Sequence, residues 1–159
     1  MSFECSAAIP SLERRPGSDR ALADPASGRA FRLDGVRVLV VDDNERHLGL
    51  VKTVLEVCGA SVAATNSATA ALGMLRRKPP DVLVADIVMR GHDGFWLMRE
   101  VRQLPADRGG DTPAAAITGL ESSEDLERLR RAGFEYRVSK PIAPVHLAAA
   151  VLLLARKRK

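Results

Sequence analysis

Residues 36–44 read Val-Arg-Val-Leu-Val-Val-Asp-Asp-Asn, and this segment is the strongest indication of the fold. Val36–Val41 is almost continuously apolar, which is typical of a central strand buried on both faces of a parallel sheet. Asp42 and Asp43 follow directly at the carboxyl end of that strand. The pattern predicts a buried first strand that ends in two acidic side chains.

Short β-branched runs alternate with amphipathic stretches on the carboxyl side of this strand, which indicates repeated βα units. The predicted strands are Val36–Val41, Ser61–Thr65, Val82–Ala85, Ala114–Thr118 and Tyr136–Ser139. The predicted helices are Glu45–Cys58, Ser67–Arg77, Gly94–Leu104, residues 122–132, and a last helix that starts at Pro144, with a loop at Pro105–Thr112 before the fourth strand. The fold class is therefore α/β, a doubly wound five-stranded parallel sheet with helices on both faces.

The chain divides into three parts by composition. Residues 1–33 contain scattered prolines, glycines and charges without periodicity, which predicts a disordered leader. Residues 34–155 hold the βα units and form the predicted domain. Residues 156–159 are all basic and form the predicted tail.

Composition excludes several classes of function. Apolar residues make up 46% of the chain, but no apolar run is long enough to span a bilayer, and no secretory signal is visible. The net charge of +4 equals the charge of the basic tail, so we expect no specific nucleic-acid binding. Two cysteines, Cys5 and Cys58, make no disulfide framework, which favours a reducing, cytoplasmic location with no membrane association.

The ends of four predicted strands carry the candidate chemistry. Ligands of open parallel sheets bind beyond the carboxyl ends of the strands, where the strand order reverses. If the strand order is 2-1-3-4-5, the first and third strands are neighbours, and Asp86 joins Asp42 and Asp43. Three such carboxylates repel one another unless a cation lies between them, and hard oxygen ligands suit Mg²⁺.

The two remaining strand ends carry Thr118 and Lys140. A lysine can neutralise a phosphate oxygen and a hydroxyl can donate to another, so the set suits phosphoryl transfer, which depends mainly on positioning and charge stabilisation. Each residue alone is weak evidence, because a strand-end Asp is often a helix cap and a single Thr or Lys is usually structural. The argument rests on finding all of them at strand ends.

Five ordered segments now resemble the marker motifs of the receiver domains of two-component response regulators. They are Val38–Asn44, Asp86–Met89, Asp93-Gly94, Ile117–Gly119 and Ser139–Pro141. The resemblance spans about residues 34–155 and implies a flavodoxin-like sheet of order 2-1-3-4-5. The segments from Ala132 to Ile142 are similar to receivers of hybrid sensor kinases and to chemotaxis receivers.

The resemblance also implies roles for individual residues. Asp86 is then the phosphoacceptor, Thr118 and Lys140 contact the phosphate, and the Lys140–Pro141 bond is cis. The magnesium ligands implied are Asp42, Asp43, Asp86 and the backbone carbonyl of Val88. A histidine kinase or a histidine phosphotransfer protein donates the phosphoryl group, and the phosphorylated chain docks on an output protein that the sequence does not name. Such a chain is a signalling receiver that catalyses only its own phosphorylation and dephosphorylation.

Two positions depart from the family pattern. Arg90 stands where the family usually has proline, which predicts a looser loop after Asp86. Arg137 stands at the usual aromatic switch position, where we expect it either to be solvated or to change the charge displayed by the docking face.

Other interpretations stay open. The chain could be a pseudo-receiver scaffold without a phosphate cycle, or a receiver piece of a hybrid histidine kinase, although Met1 and the leader argue mildly for a single-domain regulator. A flavodoxin-like cofactor binder is disfavoured because no phosphate-cradling loop follows the first strand. The oligomeric state, including a homodimer, is undetermined. His47, His92 and His146 lack metal-ligand spacing and are expected at the surface or at helix caps.

Overall fold

The computed structural model describes residues 31–158. The strands are β1 Arg37–Val41, β2 Ser61–Thr65, β3 Val82–Asp86, β4 Ala114–Thr118 and β5 Tyr136–Ser139. The helices are α1 Glu45–Val57, α2 Ala68–Arg77, α3 Gly94–Arg102, α4 Ser123–Ala132 and α5 Pro144–Lys157. A short 3₁₀ turn, Ala106–Arg108, lies in the segment that was predicted to be a loop.

All five strands are parallel and follow the order β2-β1-β3-β4-β5. This confirms the predicted fold class and strand order. The sheet reverses its direction of winding between β1 and β3, so the carboxyl ends of those two strands lie side by side. None of the helices within residues 31–158 is long and apolar enough to cross a bilayer.

Side-chain caps position the starts of four helices. Asn44 accepts from the backbone N–H groups of Arg46 and His47 at the start of α1. Ser67, Asp93 and Ser122 cap α2, α3 and α4 in the same way. These caps satisfy N–H groups that the first helical turn leaves unpaired.

Two apolar clusters lie on opposite faces of the sheet. The first contains side chains from α1 and α5, and the second contains side chains from α2, α3 and α4. Cys58 is buried in the first cluster. Cys5 and residues 1–30 of the predicted leader lie outside the described residues.

The packed part of the chain begins before the predicted boundary at residue 34. Leu33 is fully buried, Phe31 is 9% exposed, and both belong to the cluster under α1 and α5. The Leu33 N–H donates to the Cys58 carbonyl at 2.7 Å. Assigning residues 31–33 to the leader was therefore wrong, because two apolar residues separated by one charge are too short a pattern to reveal burial.

The predicted basic tail is not separate from the domain. Helix α5 continues through Lys157, whose Nζ lies 2.8 Å from Glu135 Oε2. Arg158 donates to the carbonyl of Pro80. Part of the basic charge at this end thus holds the last helix against neighbouring segments.

Candidate functional site: an acidic cluster at the sheet edge

The β1–β3 pairing brings the predicted carboxylates together. Val41 lies opposite Ala85, so Asp42 and Asp86 follow on neighbouring strands at the same level. One oxygen from each of Asp42, Asp43 and Asp86 lies within 4.8 Å of the others. We call these three residues the acidic cluster.

Asp42 is the most deeply buried member, with no exposed surface. Its Oδ1 accepts from the Asn44 N–H at 2.8 Å, whereas its buried Oδ2 has no hydrogen-bond partner among the described residues. Burial raises the pKa of Asp42. The hydrogen bond from the Asn44 N–H lowers that pKa by a smaller amount, and the nearby charge of Asp86 raises it further. An oxygen left without a donor in the interior is destabilising unless a ligand fills the gap.

Asp43 is more exposed than Asp42, with 19% of its side chain accessible, and is bound by Arg90. Its Oδ2 accepts from the Arg90 backbone N–H at 2.9 Å and from Arg90 Nε at 3.3 Å. These contacts hold the pKa of Asp43 below its ordinary value, and the hydrogen bond from the Arg90 backbone N–H has the largest effect. The expectation of a looser loop is therefore wrong, because Arg90 fastens the loop after Asp86 to the end of β1.

Asp86 is the last residue of β3 and is 3% exposed. Its Oδ1 accepts from the Ile87 N–H at 2.9 Å and from Lys140 Nζ at 2.9 Å. No hydrogen bond from residues 31–158 is made to Asp86 Oδ2. The carboxylate is thus held at one oxygen, beside a cation from the end of β5.

Lys140 and Thr118 are tied together by the backbone. The Lys140 N–H donates to the Thr118 carbonyl at 3.2 Å, and the Lys140–Pro141 bond is cis, as expected. Thr118 is 1% exposed, and its Oγ1 accepts from the Leu120 N–H at 3.1 Å. The structure therefore brings Lys140 into contact with Asp86 and places Thr118 at the end of the adjoining strand.

The loop between β3 and α3 approaches the acidic cluster closely. The Gly94 N–H donates to the Ile87 carbonyl at 2.9 Å. A Cβ atom on Gly94 would lie 2.5 Å from the Asp86 carbonyl oxygen, so only glycine fits there without a shift. Val88 extends into solvent from this loop and is 71% exposed.

Sequence reasoning missed two contacts at this site. His47 Nδ1 lies 3.7 Å from Asp42 Oδ2, although all three histidines were expected at the surface or at caps. The sequence feature that could have revealed this contact is the position of His47 in the first turn of α1, shortly after the aspartate pair. His92 stacks on Trp96 with ring centroids 3.8 Å apart, beside the loop that follows Asp86.

Arg137 is buried, contrary to the expectation that it is solvated, whereas its effect on the charge of the docking face stays a prediction. It is 7% exposed, and its guanidinium donates to the carbonyl of Leu120. Its Nε is buried without a partner among the described residues. The hydrogen bond to Leu120 joins β5 to the loop between β4 and α4, and the Arg137 charge lies in the interior.

The donor set fits a divalent cation. Three carboxylates supply hard oxygen ligands, and the unpartnered Asp42 Oδ2 is a buried ligand atom without another use. Mg²⁺ usually keeps several waters and takes few protein ligands, which suits a cluster open on one side.

Comparison with known proteins now decides the family. Residues 38–152 match the response regulator receiver domain. The chain belongs to the response regulator receiver family. Receiver domains of this family bind Mg²⁺ through a cluster of acidic residues, which corresponds here to Asp42, Asp43 and Asp86.

Similar proteins include both short and long chains. An uncharacterised 14.6 kDa protein of Leptolyngbya boryana is 39% identical, over 72% of this chain and 86% of its own length. The sensor histidine kinase GacS of Pseudomonas protegens is 34% identical, over 84% of this chain but only 16% of its own length. The receiver domain of Francisella response regulator 1452 superposes with a TM-score of 0.71 at 27% identity, covering 79% of this chain and all of that one.

Proposed function

We propose that this receiver domain takes a phosphoryl group on the carboxylate of Asp86. The observation that carries the proposal is the convergence of the acidic cluster with Lys140, whose Nζ lies 2.9 Å from Asp86 Oδ1. An aspartate carboxylate is a competent nucleophile when neighbouring cations screen its charge. Asp86 is also nearly buried at the end of a strand, so its position is well defined.

The proposed transfer is an in-line displacement at phosphorus. A carboxylate oxygen of Asp86 forms the new O–P bond while the bond from phosphorus to a histidine nitrogen of the donor breaks, and that nitrogen keeps the electron pair. Lys140 stabilises negative charge on the phosphoryl oxygens, and the Thr118 hydroxyl donates a hydrogen bond to one of them. The oxygen-rich cluster and the Val88 carbonyl would hold Mg²⁺, which supplies further charge neutralisation when bound.

The proposed partners follow from this chemistry. A histidine kinase or a histidine phosphotransfer protein donates the phosphoryl group, and an output protein docks on the phosphorylated form. The chain would act on no other substrate and catalyse only its own phosphorylation and dephosphorylation. A cytoplasmic location is part of the proposal and is supported by the presence of only two cysteines in the sequence.

Intact-mass measurement after incubation with acetyl phosphate and Mg²⁺ tests the acceptor. The wild-type chain should gain one phosphoryl mass, and Asp86→Asn should gain none, because the substitution removes the nucleophile but little volume. Asp81→Asn is the matched control, since it makes the same change beside the opposite end of β3 and should label like wild type. Addition of EDTA should suppress labelling of the wild-type chain.

Labelling of Asp86→Asn to the wild-type level would assign the acceptor elsewhere. A wild-type chain that stays unlabelled by acetyl phosphate and by phosphorylated histidine donors would instead be a scaffold of receiver fold.

The identity with a segment of GacS favours a second candidate context, in which this domain is one part of a hybrid histidine kinase. The chemistry at Asp86 would be the same, but the donor would belong to the same polypeptide. An immunoblot of the native protein distinguishes the two contexts by whether the mass exceeds that of this sequence.

A further inference from the structure

Arg90 makes two different contacts with one oxygen of Asp43, a member of the acidic cluster. Its backbone N–H donates to Asp43 Oδ2 at 2.9 Å, and its side-chain Nε donates to that oxygen at 3.3 Å. The first contact needs only a residue with an N–H group, whereas the second needs the guanidinium. A proline at this position would supply neither.

The charges around the acidic cluster are only partly balanced by the chain itself. Lys140 pairs with Asp86, and Arg90 pairs with Asp43. Asp42 has His47 Nδ1 at 3.7 Å and a buried oxygen without a hydrogen bond. The guanidinium of Arg90 therefore supplies one of the positive charges that a bound divalent cation would otherwise provide.

The two chain cations differ in how firmly they are held. The Lys140 side chain is 29% exposed and lies against a carboxylate that is 3% exposed. The Arg90 side chain is 89% exposed, and only its Nε touches Asp43. An exposed ion pair of this kind contributes at most about 1 kcal/mol, so the Arg90 side chain can leave Asp43 at little cost.

We propose that Arg90 is a tethered cation that occupies Asp43 in the metal-free receiver and competes with Mg²⁺ for it. The inference rests on the proposed function, because it concerns the same metal site. Asp43 belongs to the acidic cluster, so a cation held there and the Arg90 guanidinium share one carboxylate and repel each other. Arg90 thus raises the Mg²⁺ concentration at which the receiver becomes competent for phosphorylation.

Magnesium titration of the unphosphorylated full chain tests this role. Binding is measured by isothermal calorimetry and by the fluorescence of Trp96, the single tryptophan, which lies in the first turn of α3, next to the loop between β3 and α3. Arg90→Gln keeps the backbone N–H and removes the charge, so it should lower the Kd for Mg²⁺ about threefold to tenfold at low ionic strength. The difference should shrink as salt is raised, because the Arg90 charge is exposed.

Two further variants separate this competition from a general charge effect. Arg90→Lys keeps a cation at the position and should bind Mg²⁺ with nearly the wild-type Kd. Arg131→Gln removes another exposed arginine, which pairs with Glu127 on α4, and its Kd should equal that of wild type. Equal Kd values for wild type and Arg90→Gln, or an equal change in Arg131→Gln, would overturn the proposal.

The titration also separates failure of this inference from failure of the proposed function. If Mg²⁺ binds and the Arg90 variants differ as expected, the competition holds even where acetyl phosphate fails to label Asp86. If Asp86 is labelled but the Arg90 variants bind Mg²⁺ like wild type, only the competition is refuted. If neither the wild-type chain nor any variant binds Mg²⁺, both the metal part of the proposed function and the role of Arg90 fail.

Discussion

At the residue scale, the two adjacent aspartates after β1 have opposite environments. Asp42 points into the protein, where burial raises its pKa, while Asp43 is bound by Arg90, whose hydrogen bonds lower its pKa. One acidic pair thus supplies both a buried and a partly exposed carboxylate to the same cluster. The same divalent cation can then be held from the interior and approached from solvent.

Val88 should influence how long the phosphoryl group stays on Asp86. Its apolar side chain is 71% exposed two residues after Asp86 and cannot orient an attacking water. Val88→Asn should speed loss of phosphate about fivefold, because its amide can position water in line with phosphorus. Phosphate release from the purified phosphoprotein measures this, with Val88→Ala as the control for lost bulk. A Val88→Asn rate at or below that of wild type would contradict the prediction.

Asp81 should contribute a pH-dependent part of the stability. Burial opposes its ionisation, but hydrogen bonds from the Arg37 backbone N–H at 2.8 Å and from Arg37 Nη2 at 3.4 Å outweigh this and lower its pKa. A carboxyl with a lowered folded-state pKa stabilises the fold above its unfolded-state value and loses that contribution as pH falls through the folded-state pKa.

Asp81→Asn should therefore lower the free energy of unfolding by about 1 kcal/mol at neutral pH. The difference from wild type should narrow below about pH 4, where the unfolded carboxyl begins to be protonated. Urea unfolding of both chains at neutral and acid pH measures it. A difference that stays constant down to pH values below the folded-state pKa would show that the charge of Asp81 is not responsible.

At the element scale, the start of α3 is pressed against the backbone of the proposed acceptor. A Cβ atom on Gly94 would meet the Asp86 carbonyl oxygen at 2.5 Å and Ile87 Cα at 2.9 Å. Both are backbone atoms of the strand end and cannot rotate away. Gly94→Ala should destabilise the protein by about 2 kcal/mol and slow labelling of Asp86, because the strand end must shift.

Gly73 provides a control for this substitution within another helix. A Cβ atom there would meet only Arg77 Nη1, at 3.8 Å, so nothing has to move. Gly73→Ala should stabilise the protein by about 0.5–1 kcal/mol, because alanine is the better helix former. Thermal unfolding and acetyl phosphate labelling of the two variants measure both effects, and similar behaviour of the two would refute the role assigned to Gly94.

At the scale of the whole molecule, Phe31 and Leu33 complete the core under α1 and α5. Leu33 is fully buried there and is joined to the end of α1 through the Cys58 carbonyl. Leu33→Ala should lower the free energy of unfolding by about 3 kcal/mol, as expected for a truncated core leucine. Leu50, which is 44% exposed on α1, is the matched control, and Leu50→Ala should have a much smaller effect. Equal losses in chemical denaturation would place Leu33 outside the core.

Local sequence patterns are enough to predict the fold class, the five strands and the residues that form the acidic cluster. Strand and helix patterns are local, and capping residues such as Ser67 mark helix starts within a few positions. Asp42, Asp86 and Lys140 could be placed together because parallel strands present their carboxyl ends at one edge. The strand order came from the family resemblance, and the pairing of β1 with β3 confirms it.

The contacts of the long polar side chains depend on the tertiary structure and could not be predicted. Arg90 is 47 residues from Asp43 in sequence, and Arg137 is 17 residues from the Leu120 carbonyl that it binds. A long cationic side chain can pair with any acceptor within its reach. Which acceptors are within reach depends on how the loops pack once the strands have paired. Burial of Phe31 and Leu33 depends likewise on α1 and α5 being in place, because no periodic pattern in so short a segment marks it as core.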